Sequence, residues 1–355
     1  MKRRAIQYYI IITALIFLVL GFRELISRYG GGAYDNESIS QTDLDQEDQA
    51  PSKDLPGKEG QDRETASAFG ISGDGELKVT FIDVGQGLSI LLESGGQYLL
   101  YDGGECDTAT ELVSYLSSLR IDEIDYMVAS HYDSDHVCGL ISVLKNFDVG
   151  MVLGPDYSDE YEFQDEFIKA ASELHREIVH PEVDEQIRLG SAYITVIAPA
   201  ELYDDANNNS IVLKVRNGKD TFLLMGDAEY EEEMQIIESG KDVKTDVIVI
   251  GHHGSRSSTS QGLLYVADPE YAVISCGQDN PYGHPEQEVM EKLKNLDIDV
   301  YRTDIQSTIT AVSSGNGISW SQPPCNDYTP GSIPGQKYYS QDPDDAITID
   351  EKPPA

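Results

Sequence analysis

A segment of the chain, SHYDSDH at 130–136, concentrates side chains that bind metals. It follows an apolar run at 127–129 and precedes a helical pattern beginning near 137, so we expect a loop between a strand and a helix. Such a loop can turn several side chains toward one point, whereas a strand would alternate them between two faces. A polar turn with a helix cap at Ser134 or Asp135 would explain one or two of these residues, but not four. Imidazoles and carboxylates are ligands of divalent transition metals. The predicted ligands are His131, Asp133, Asp135 and His136.

Further candidate ligands end other apolar runs, in the strings YLLYDGG, FLLMGDAE, VIVIGHHGS and NPYGHP. If these runs are strands of an open sheet, their carboxyl ends share one edge, where active sites collect. Five of the seven histidines fall in such loops, and the other two, His175 and His180, are predicted to be surface residues. Taken alone, the aspartate of FLLMGDAE would pass for a helix N-terminal charge. The candidates from these strings are Asp102, Asp227, His252, His253 and His284.

Hydrophobic periodicity places these loops in an α/β framework. Short β-rich runs come first and then alternate with amphipathic patterns, which predicts an α/β sandwich with helices on its outer faces. The strand candidates are 77–82, 88–93, 97–101, 126–130, 149–153, 191–198, 210–216, 221–226, 245–250 and 271–275. The helix candidates are 109–119, 138–146, 164–175, 228–238, 260–267 and 286–295.

Seven strings together carry a resemblance to a known family. They are FIDVGQG (81–87), YDGG (101–104), SHYDSDH (130–136), NNNSIVLKV (207–215), LLMGDAE (223–229), GHHGSRSSTS (251–260) and NPYGHPEQEVMEKL (280–293). In this order they resemble the metallo-β-lactamase superfamily. Within it, the chain is similar to the hydrolase domain of the DNA-internalisation competence protein ComEC and its stand-alone relatives. The resemblance covers roughly residues 77–313 and implies the αββα sandwich of that superfamily.

The resemblance also implies a set of metal ligands. His131 and Asp133 would hold one metal ion, Asp135 and His136 would hold a second, and Asp227 would bridge them. Asp135 is in addition expected to be essential for catalysis. One or two divalent ions, Zn²⁺ or Mn²⁺, are therefore expected. Because Asp133 stands where the superfamily has an imidazole, the site is harder and more anionic, which favours Mn²⁺ relative to Zn²⁺.

Other residues would assist these ligands. On the resemblance, His252 is the later ligand, and His253 and His284 lie in or beside the site, where either can donate to the leaving oxygen. Asp102 would orient the histidine loop from behind the ligands. Ser210, also expected behind the ligands, occupies a region where many members have a further metal-binding histidine. That histidine is missing here, so the second metal would be weakly held or rich in water.

The charge of the chain restricts its substrates. It has 25 Lys and Arg against 63 Asp and Glu, a net charge of −38. Between residues 71 and 320 the counts are 15 and 46, a balance of −31, so the folded part is acidic as well. Such a surface repels nucleic acid at long range and offers few phosphate contacts. It favours cations and small or zwitterionic substrates over long polyanions.

The four cysteines, at 106, 138, 276 and 325, include no CxxC pair. This excludes a zinc ribbon and gives no indication of a disulfide framework. One bridge in an oxidising compartment is left open without an assignment. Cys138, which follows the ligand loop, is interpreted as a packed small residue, with a vulnerable thiol as the alternative.

The two ends of the chain differ from its middle. Residues 5–22 carry no charge and, as a helix, would span roughly 27 Å, close to the thickness of a bilayer core. The stronger basic flank, in residues 1–4, predicts a cytoplasmic N-terminus, a transmembrane signal-anchor at 5–22 and a catalytic domain outside the cell membrane. A cleaved signal peptide, which would give a secreted protein, fits the same pattern. Residues 23–74 are predicted to be a disordered acidic linker, 75–320 the hydrolase domain, and 321–355 a disordered tail.

These features predict an extracytoplasmic metal-dependent hydrolase. A phosphodiesterase or nuclease is the leading hypothesis, because a pair of divalent metals suits phosphodiester hydrolysis. The resemblance implies DNA as its substrate, although the acidic surface argues against that polymer. Two alternatives stay open: a cell-envelope phosphodiesterase for a phosphorylcholine-type head group, and a metal-binding sensor module without turnover. The sequence gives no oligomeric state.

Overall fold

The structure, a computed structural model, describes residues 75–157 and 162–333. The predicted membrane segment at 5–22, the predicted linker at 23–74 and the part of the predicted tail after 333 lie outside the described residues. Within the described ranges, no helix has both the length and the apolar character needed to cross a membrane.

Short strands dominate the described part of the chain. The strands are β1 Leu77–Phe81, β2 Ile90–Ser94, β3 Gln97–Tyr101, β4 Glu123–Val128, β5 Asp148–Leu153, β6 Ile178–Val179, β7 Gln186–Leu189, β8 Ala192–Ala198, β9 Val212–Asn217, β10 Asp220–Leu224, β11 Val247–Val249, β12 Tyr271–Ile274, β13 Asp299–Arg302, β14 Ile309–Ser313 and β15 Ile318–Trp320. The α-helices are α1 Ala109–Ser118, α2 Ser134–Leu144, α3 Glu162–Glu173, α4 Tyr230–Glu238, α5 Gln261–Ala267, α6 Gln287–Asn295 and α7 Thr303–Gln306.

Two sheets pack face to face. The first has the strand order β15-β14-β1-β2-β3-β4-β5-β6, and the second has the order β13-β12-β11-β10-β9-β8-β7. Leu99 of β3 and Leu224 of β10 belong to the apolar layer between the sheets. Their neighbours Leu100 and Leu223 lie in two further apolar layers on the outer faces. Each of these strands is therefore buried on both faces, which explains why they are runs of apolar residues without polar alternation.

Helices cover both outer faces. Helices α2 and α3 bury apolar residues against the first sheet, and α4, α5 and α6 bury theirs against the second. The residues at these contacts include Leu140, Phe167, Ile236, Leu264 and Met290. The predicted α/β sandwich with helices on its outer faces is therefore observed, in the order helix, sheet, sheet, helix.

Parallel pairing brings the ligand loops to one edge of the sandwich. Strands β3, β4 and β5 run parallel in the first sheet. Strands β10, β11 and β12 run parallel in the second. The candidate ligands predicted above lie in the loops that follow β3, β4, β10, β11 and β12 and in the first turn of α2.

The predicted start of the tail at 321 is wrong, because residues 321–333 pack on the domain. The Cys325 amide donates to the Val300 carbonyl at 2.9 Å, which extends the contacts of β13. The Gly331 amide donates to the Pro285 carbonyl at 2.8 Å, close to the His284 loop. The prolines and acids of this segment lack a large apolar face, but backbone hydrogen bonds hold it in place. We call residues 321–333 the C-terminal strap.

Candidate metal centre

The predicted ligand loop joins β4 to α2. Its Asp133 occupies the N-cap of α2 in an extended conformation, and its side chain makes no capping hydrogen bond. That carboxylate instead lies with Oδ2 3.7 Å from Nε2 of His131. Asp135 lies in the first turn of the helix, where the peptide dipoles favour a negative charge. The loop therefore directs its carboxylates into the site and uses neither of them as a cap.

Asp102 holds this loop from behind. It is fully buried, and its two carboxylate oxygens accept the Ser130 amide and the Ser130 hydroxyl, each at 2.7 Å. The same carboxylate accepts Nδ1 of His136 at 2.8 Å. The backbone of Asp102 is left-handed, with φ of 58°, a conformation that aspartate tolerates better than most residues. Asp102 therefore lies behind the ligand loop and holds both Ser130 and His136.

Four histidines have their Nδ1 atoms occupied by an acceptor. Nδ1 of His136 is bonded to Asp102, Nδ1 of His253 to the Ser275 carbonyl at 2.9 Å, and Nδ1 of His252 to Glu229 at 2.9 Å. Nδ1 of His131 lies 3.0 Å from the Ser130 hydroxyl, whose proton goes to Asp102. A neutral imidazole carries one proton, so each of these rings presents a bare Nε2 when it is neutral.

These Nε2 atoms and two carboxylates face one another. Nε2 of His136 lies 3.2 Å from Oδ1 of Asp227 and 3.3 Å from Nε2 of His253. Nε2 of His253 lies 3.2 Å from Oδ2 of Asp135 and 3.5 Å from Oδ2 of Asp227. Lone pairs at such distances repel each other unless a cation lies among them. Nε2 of His131 and Oδ1 of Asp227 are also buried without a hydrogen-bond partner among the described residues.

The donor set fits a divalent metal. His131, His136 and Asp227 offer ligand atoms within 4.8 Å of one another, and so do Asp135, His136 and His253. Imidazole nitrogens and carboxylate oxygens together suit zinc, manganese or iron. The two groups share His136, so they describe one continuous centre with room for more than one ligand arrangement.

The carboxylates of the centre raise the pKa values of two of its histidines. Burial alone would lower the pKa of His136, but the carboxylates of Asp227 and Asp102 hold that pKa well above its ordinary value. Burial likewise opposes protonation of His252, yet Asp227 and Glu229 raise its pKa to about 9. Without a metal these rings therefore take up protons. Metal binding must displace those protons, which makes the metal affinity dependent on pH.

Comparison with known proteins agrees with this geometry. The sequence matches the model of the Metallo-beta-lactamase superfamily over residues 82–278, more than half of the chain. The chain belongs to this superfamily.

Its curated relatives include competence proteins. It is 30% identical over 259 residues to ComE operon protein 3 of Bacillus subtilis (strain 168), covering 67% of this chain and 33% of that protein. It is 31% identical over 239 residues to Competence protein ComA of Neisseria gonorrhoeae, covering 66% of this chain and 32% of that protein. The chain thus spans about a third of the length of these relatives. The predicted similarity to the competence hydrolases is confirmed.

One solved structure is similar to part of this chain at low sequence identity. The metallo-beta-lactamase fold protein YhfI from Bacillus subtilis is 16% identical with a TM-score of 0.45, covering 64% of this chain and 95% of that chain.

In this metallo-β-lactamase centre, Nε2 of His253 lies closer to the carboxylates of Asp135 and Asp227 than Nε2 of His252 lies to Asp227. The resemblance implied His252 as the later ligand, but Nε2 of His252 lies 3.7 Å from Asp227, its nearest carboxylate across the site. Both histidines have left-handed backbones, with φ of 49° and 55°. This conformation turns two consecutive side chains toward the same centre, which an extended or helical backbone would not do.

His284 lies beside the donor groups. Its ring centre is 5.6 Å from that of His252 and 6.4 Å from that of His253. Nδ1 of His284 is 3.5 Å from the side-chain nitrogen of Gln86, a donor. Burial lowers the pKa of His284 to about 4, and the neighbouring histidines add to this effect. A neutral His284 that accepts at Nδ1 carries its proton on Nε2 and acts as a hydrogen-bond donor.

Ser210 supports Asp227 from below. It is fully buried, and its hydroxyl accepts the Asp227 amide at 3.0 Å. The neighbouring Asn209 turns its side chain away from the centre, toward the backbone of Tyr203 and Asp205. Ser210 therefore lies behind Asp227 and holds its backbone. The two histidines without a ligand-loop context, His175 and His180, are exposed.

Sequence reasoning missed two features of the centre. Glu229 orients His252, and its position two residues after Asp227 in the LLMGDAE string was a usable signal. The second is a disulfide between Cys106 and Cys138, which joins the loop after β3 to helix α2 just beyond His136. The interpretation of Cys138 as a packed small residue was therefore wrong. Nothing in the spacing of the four cysteines identified this pair.

Proposed function

We propose that the protein is a metal-dependent phosphodiesterase acting outside the cytoplasm, with a nucleic-acid strand as its leading substrate. The observation that carries the proposal is the convergence of bare Nε2 atoms from His131, His136 and His253 on the carboxylates of Asp135 and Asp227. The competence proteins that the chain resembles support the choice of substrate. The non-catalytic sensor hypothesis is disfavoured, because the complete donor set is retained.

The metal would be held by the two donor groups. His131, His136 and Asp227 form one, and Asp135 and His253 extend the centre on its other side. Asp133 and His252, more exposed at the mouth, complete the set proposed from the sequence. When bound, a divalent metal such as Zn²⁺ or Mn²⁺ acidifies water and stabilises negative charge on a phosphoryl oxygen.

The chain's own side chains orient the reactants. Three acceptors fix the orientation of the histidine rings through hydrogen bonds from Nδ1. They are the Asp102 carboxylate for His136, the Ser275 carbonyl for His253 and the Glu229 carboxylate for His252. His284, neutral at physiological pH, offers its Nε2 proton as a hydrogen bond to a substrate oxygen. This role is narrower than the proton donation predicted from the sequence, because a ring with a pKa of about 4 is rarely protonated at neutral pH.

Two observations support a location outside the cytoplasm. The Cys106–Cys138 disulfide is a bond that persists in oxidising compartments and is rare in the cytosol. The uncharged segment 5–22 after a basic N-terminus supports a single-pass anchor with the catalytic domain outside. Protease added to intact cells should then digest the domain, or release it when it resists. A C-terminal reporter that functions only in the cytoplasm, found active, would contradict this topology.

One observation favours the head-group alternative. Tyr282 is 61% exposed and its ring stacks on His284 at 5.5 Å. Burial raises the pKa of the Tyr282 hydroxyl, and the neighbouring carboxylates of Asp135 and Glu105 raise it further. An exposed aromatic ring among carboxylates suits a quaternary ammonium group such as that of choline. A phosphorylcholine-type diester is therefore the second candidate substrate.

A hydrolysis assay of the purified full chain, with bis(p-nitrophenyl) phosphate as substrate and added Mn²⁺ or Zn²⁺, tests the proposal. The wild type should hydrolyse the ester. Asp135→Ala and His252→Ala should lower turnover at least about a hundred-fold, because each removes a group at the metal. His175→Ala, an exposed histidine outside the ligand loops, is the matched control and should leave turnover unchanged. Wild-type turnover in the Asp135 variant would refute the site.

A substrate panel then separates the two candidates. A single-stranded oligonucleotide should be cleaved faster than glycerophosphocholine if the leading proposal holds. The reverse preference, lost in Tyr282→Ala, would assign the enzyme to head groups.

A further inference from the structure

A group of basic residues interrupts the acidic surface on the outer face of the second sheet. Arg188 of β7, Tyr193 of β8 and Arg216 of β9 stand side by side, because Tyr193 is paired with each arginine across neighbouring strands. The guanidinium carbons of Arg188 and Arg216 lie 5.7 and 5.3 Å from the centre of the Tyr193 ring. All three residues are exposed. With Lys214 and Lys241, which share a cavity with Arg216, they form what we call the basic face.

The basic face carries uncompensated positive charge. Lys214 pairs with Asp242 at 3.1 Å, and Lys241 pairs with Asp184 at 2.6 Å. Neither arginine has a carboxylate within salt-bridge distance in the described ranges. The outward position next along β8 is Thr195, which is neutral. In a domain whose balance between residues 71 and 320 is −31, this is a local reversal of sign.

The chain enters the domain beside this face. Asn217, the residue after Arg216, donates its side-chain amide to the carbonyl of Gly75, the first described residue, at 3.1 Å. Its side-chain oxygen accepts the hydroxyl of Ser191, which immediately precedes β8, at 2.9 Å. The 74 preceding residues, with their uncharged segment at 5–22, therefore join the domain next to the two arginines.

The metal centre lies at the other end of the strands. Asn217 is paired with Asp220 at the start of β10, and Asp227 follows the end of that strand. At about 3.3 Å per residue, the two ends of β10 and its loop are roughly 20 Å apart. The loop between β8 and β9 at the metal end carries Glu201, Asp204 and Asp205. A nucleic-acid strand running from the basic face to the metal would have to cross these acids.

We propose that the basic face docks on anionic phospholipid head groups and so turns the metal centre away from the membrane. The proposal rests on the membrane tether of the proposed function. Arginines near an anionic bilayer are attracted to its surface potential, and tyrosine rings favour the head-group region. The acidic remainder of the domain is repelled by the same surface, which selects one orientation. The linker predicted from the sequence at 23–74 would span roughly 40 Å as a random coil, which would keep the weak contact at high effective concentration.

Docking also selects the substrate. With the centre about 20 Å beyond the basic face, the enzyme would meet phosphodiesters that arrive from solution. Head groups of the membrane in which it is anchored would lie on the wrong side of the domain. The proposed orientation therefore supports a soluble strand as substrate over a lipid head group.

Energy transfer in reconstituted vesicles tests the proposal with the full chain. A dye is attached at Thr195→Cys in a Cys325→Ser background, since Cys276 is buried, and the acceptor is a labelled lipid. Vesicles are made of phosphatidylcholine alone or of an equal mixture with phosphatidylglycerol. Transfer should be high only in the mixture and should fall in high salt. A dye at Ile168→Cys, exposed on α3 over the other sheet, should show low transfer in both.

Neutralisation of Arg188 and Arg216 should abolish the difference in energy transfer between the two vesicle compositions. R188Q/R216Q is expected to lower the docking equilibrium about thirty-fold, which corresponds to about 1 kcal/mol for each charge. K145Q/K169Q changes the net charge equally at two exposed positions on the first-sheet side, one directly after α2 and one in α3, and should leave transfer unchanged. Equal transfer in both lipids, or in R188Q/R216Q and wild type, would overturn the proposal. So would loss of oligonucleotide binding in R188Q/R216Q with unchanged transfer, which would assign the face to nucleic acid.

Hydrolysis of bis(p-nitrophenyl) phosphate by the same samples separates this proposal from the proposed function. R188Q/R216Q should keep wild-type hydrolysis. Absent hydrolysis with intact docking would refute only the enzyme, and intact hydrolysis without docking would refute only the orientation.

Discussion

Replacing Asp102 by asparagine should weaken metal binding without removing a ligand. The buried carboxylate accepts three hydrogen bonds, from the amide and hydroxyl of Ser130 and from Nδ1 of His136. Asparagine has nearly the same shape but only one accepting oxygen. If that oxygen keeps the Ser130 amide, an NH₂ group faces the Ser130 hydroxyl and the His136 ring.

The magnitude follows from the conflict at His136. To ligate through Nε2, the ring must carry its proton on Nδ1, where the new NH₂ group cannot accept it. A buried donor without an acceptor costs about 1–3 kcal/mol. At about 1.4 kcal/mol for each factor of ten, the metal should bind about 5- to 150-fold more weakly. This agrees with the 10- to 100-fold typical, in order of magnitude, of changes behind a metal ligand.

Competition with a chelator of known affinity measures this loss directly. Asp107→Asn, an exposed aspartate in the same loop, removes the same charge and should bind metal like the wild type. A Tm within a few degrees of wild type in the metal-free proteins would show that the fold is kept. Metal affinity of Asp102→Asn within two-fold of wild type would refute the idea that Asp102 sets the His136 tautomer.

Two further predictions concern stability. Burial raises the pKa of the Glu232 carboxyl well above its ordinary value, and the neighbouring carboxylate of Glu233 adds to this effect. The folded state thus holds a proton that the unfolded chain releases near pH 4. The contribution of Glu232 to the free energy of unfolding is therefore fully present at low pH and is lost as pH rises through the folded pKa. Glu232→Gln should therefore raise the free energy of unfolding at pH 8 by about 1 kcal/mol or more and flatten its pH dependence. Glu231→Gln, at an exposed position, should do neither. Equal denaturant midpoints for Glu232→Gln and wild type across pH would contradict this prediction. At Gly331, an added Cβ would clash with the His284 carbonyl oxygen, so Gly331→Ala should destabilise by about 1–3 kcal/mol and free the strap to proteolysis. Gly262→Ala, inside α5 with its nearest contact at 3.3 Å, should have little effect or stabilise slightly, and a Gly331 variant as resistant as wild type would show that the strap is not held there.

The sequence predicted the convergence of the site for a physical reason. Short apolar runs that end in a carboxylate or an imidazole are typical of buried strands with polar loops at one edge of a sheet. The strands β3, β4, β10 and β11 are of this kind, and each has a parallel neighbour. The order of the seven strings along the chain then made the family recognisable.

Other features depend on contacts between distant residues. Which of His252 and His253 reaches the centre more closely depends on two left-handed backbones, which no propensity of histidine indicates. The Cys106–Cys138 bond depends on the packing of the loop after β3 against α2. The strap is fixed by backbone hydrogen bonds, which its composition does not reveal.

The metal content of the purified chain tests the central claim most directly. After dialysis against metal-free buffer and reloading with Mn²⁺ or Zn²⁺, the wild type should retain at least one divalent ion per chain. Asp227→Asn, which loses the carboxylate charge facing both donor groups, should retain markedly less, while Asp107→Asn should match the wild type. A wild type that retains no metal, or an Asp227 variant that retains as much as the wild type, would contradict the account.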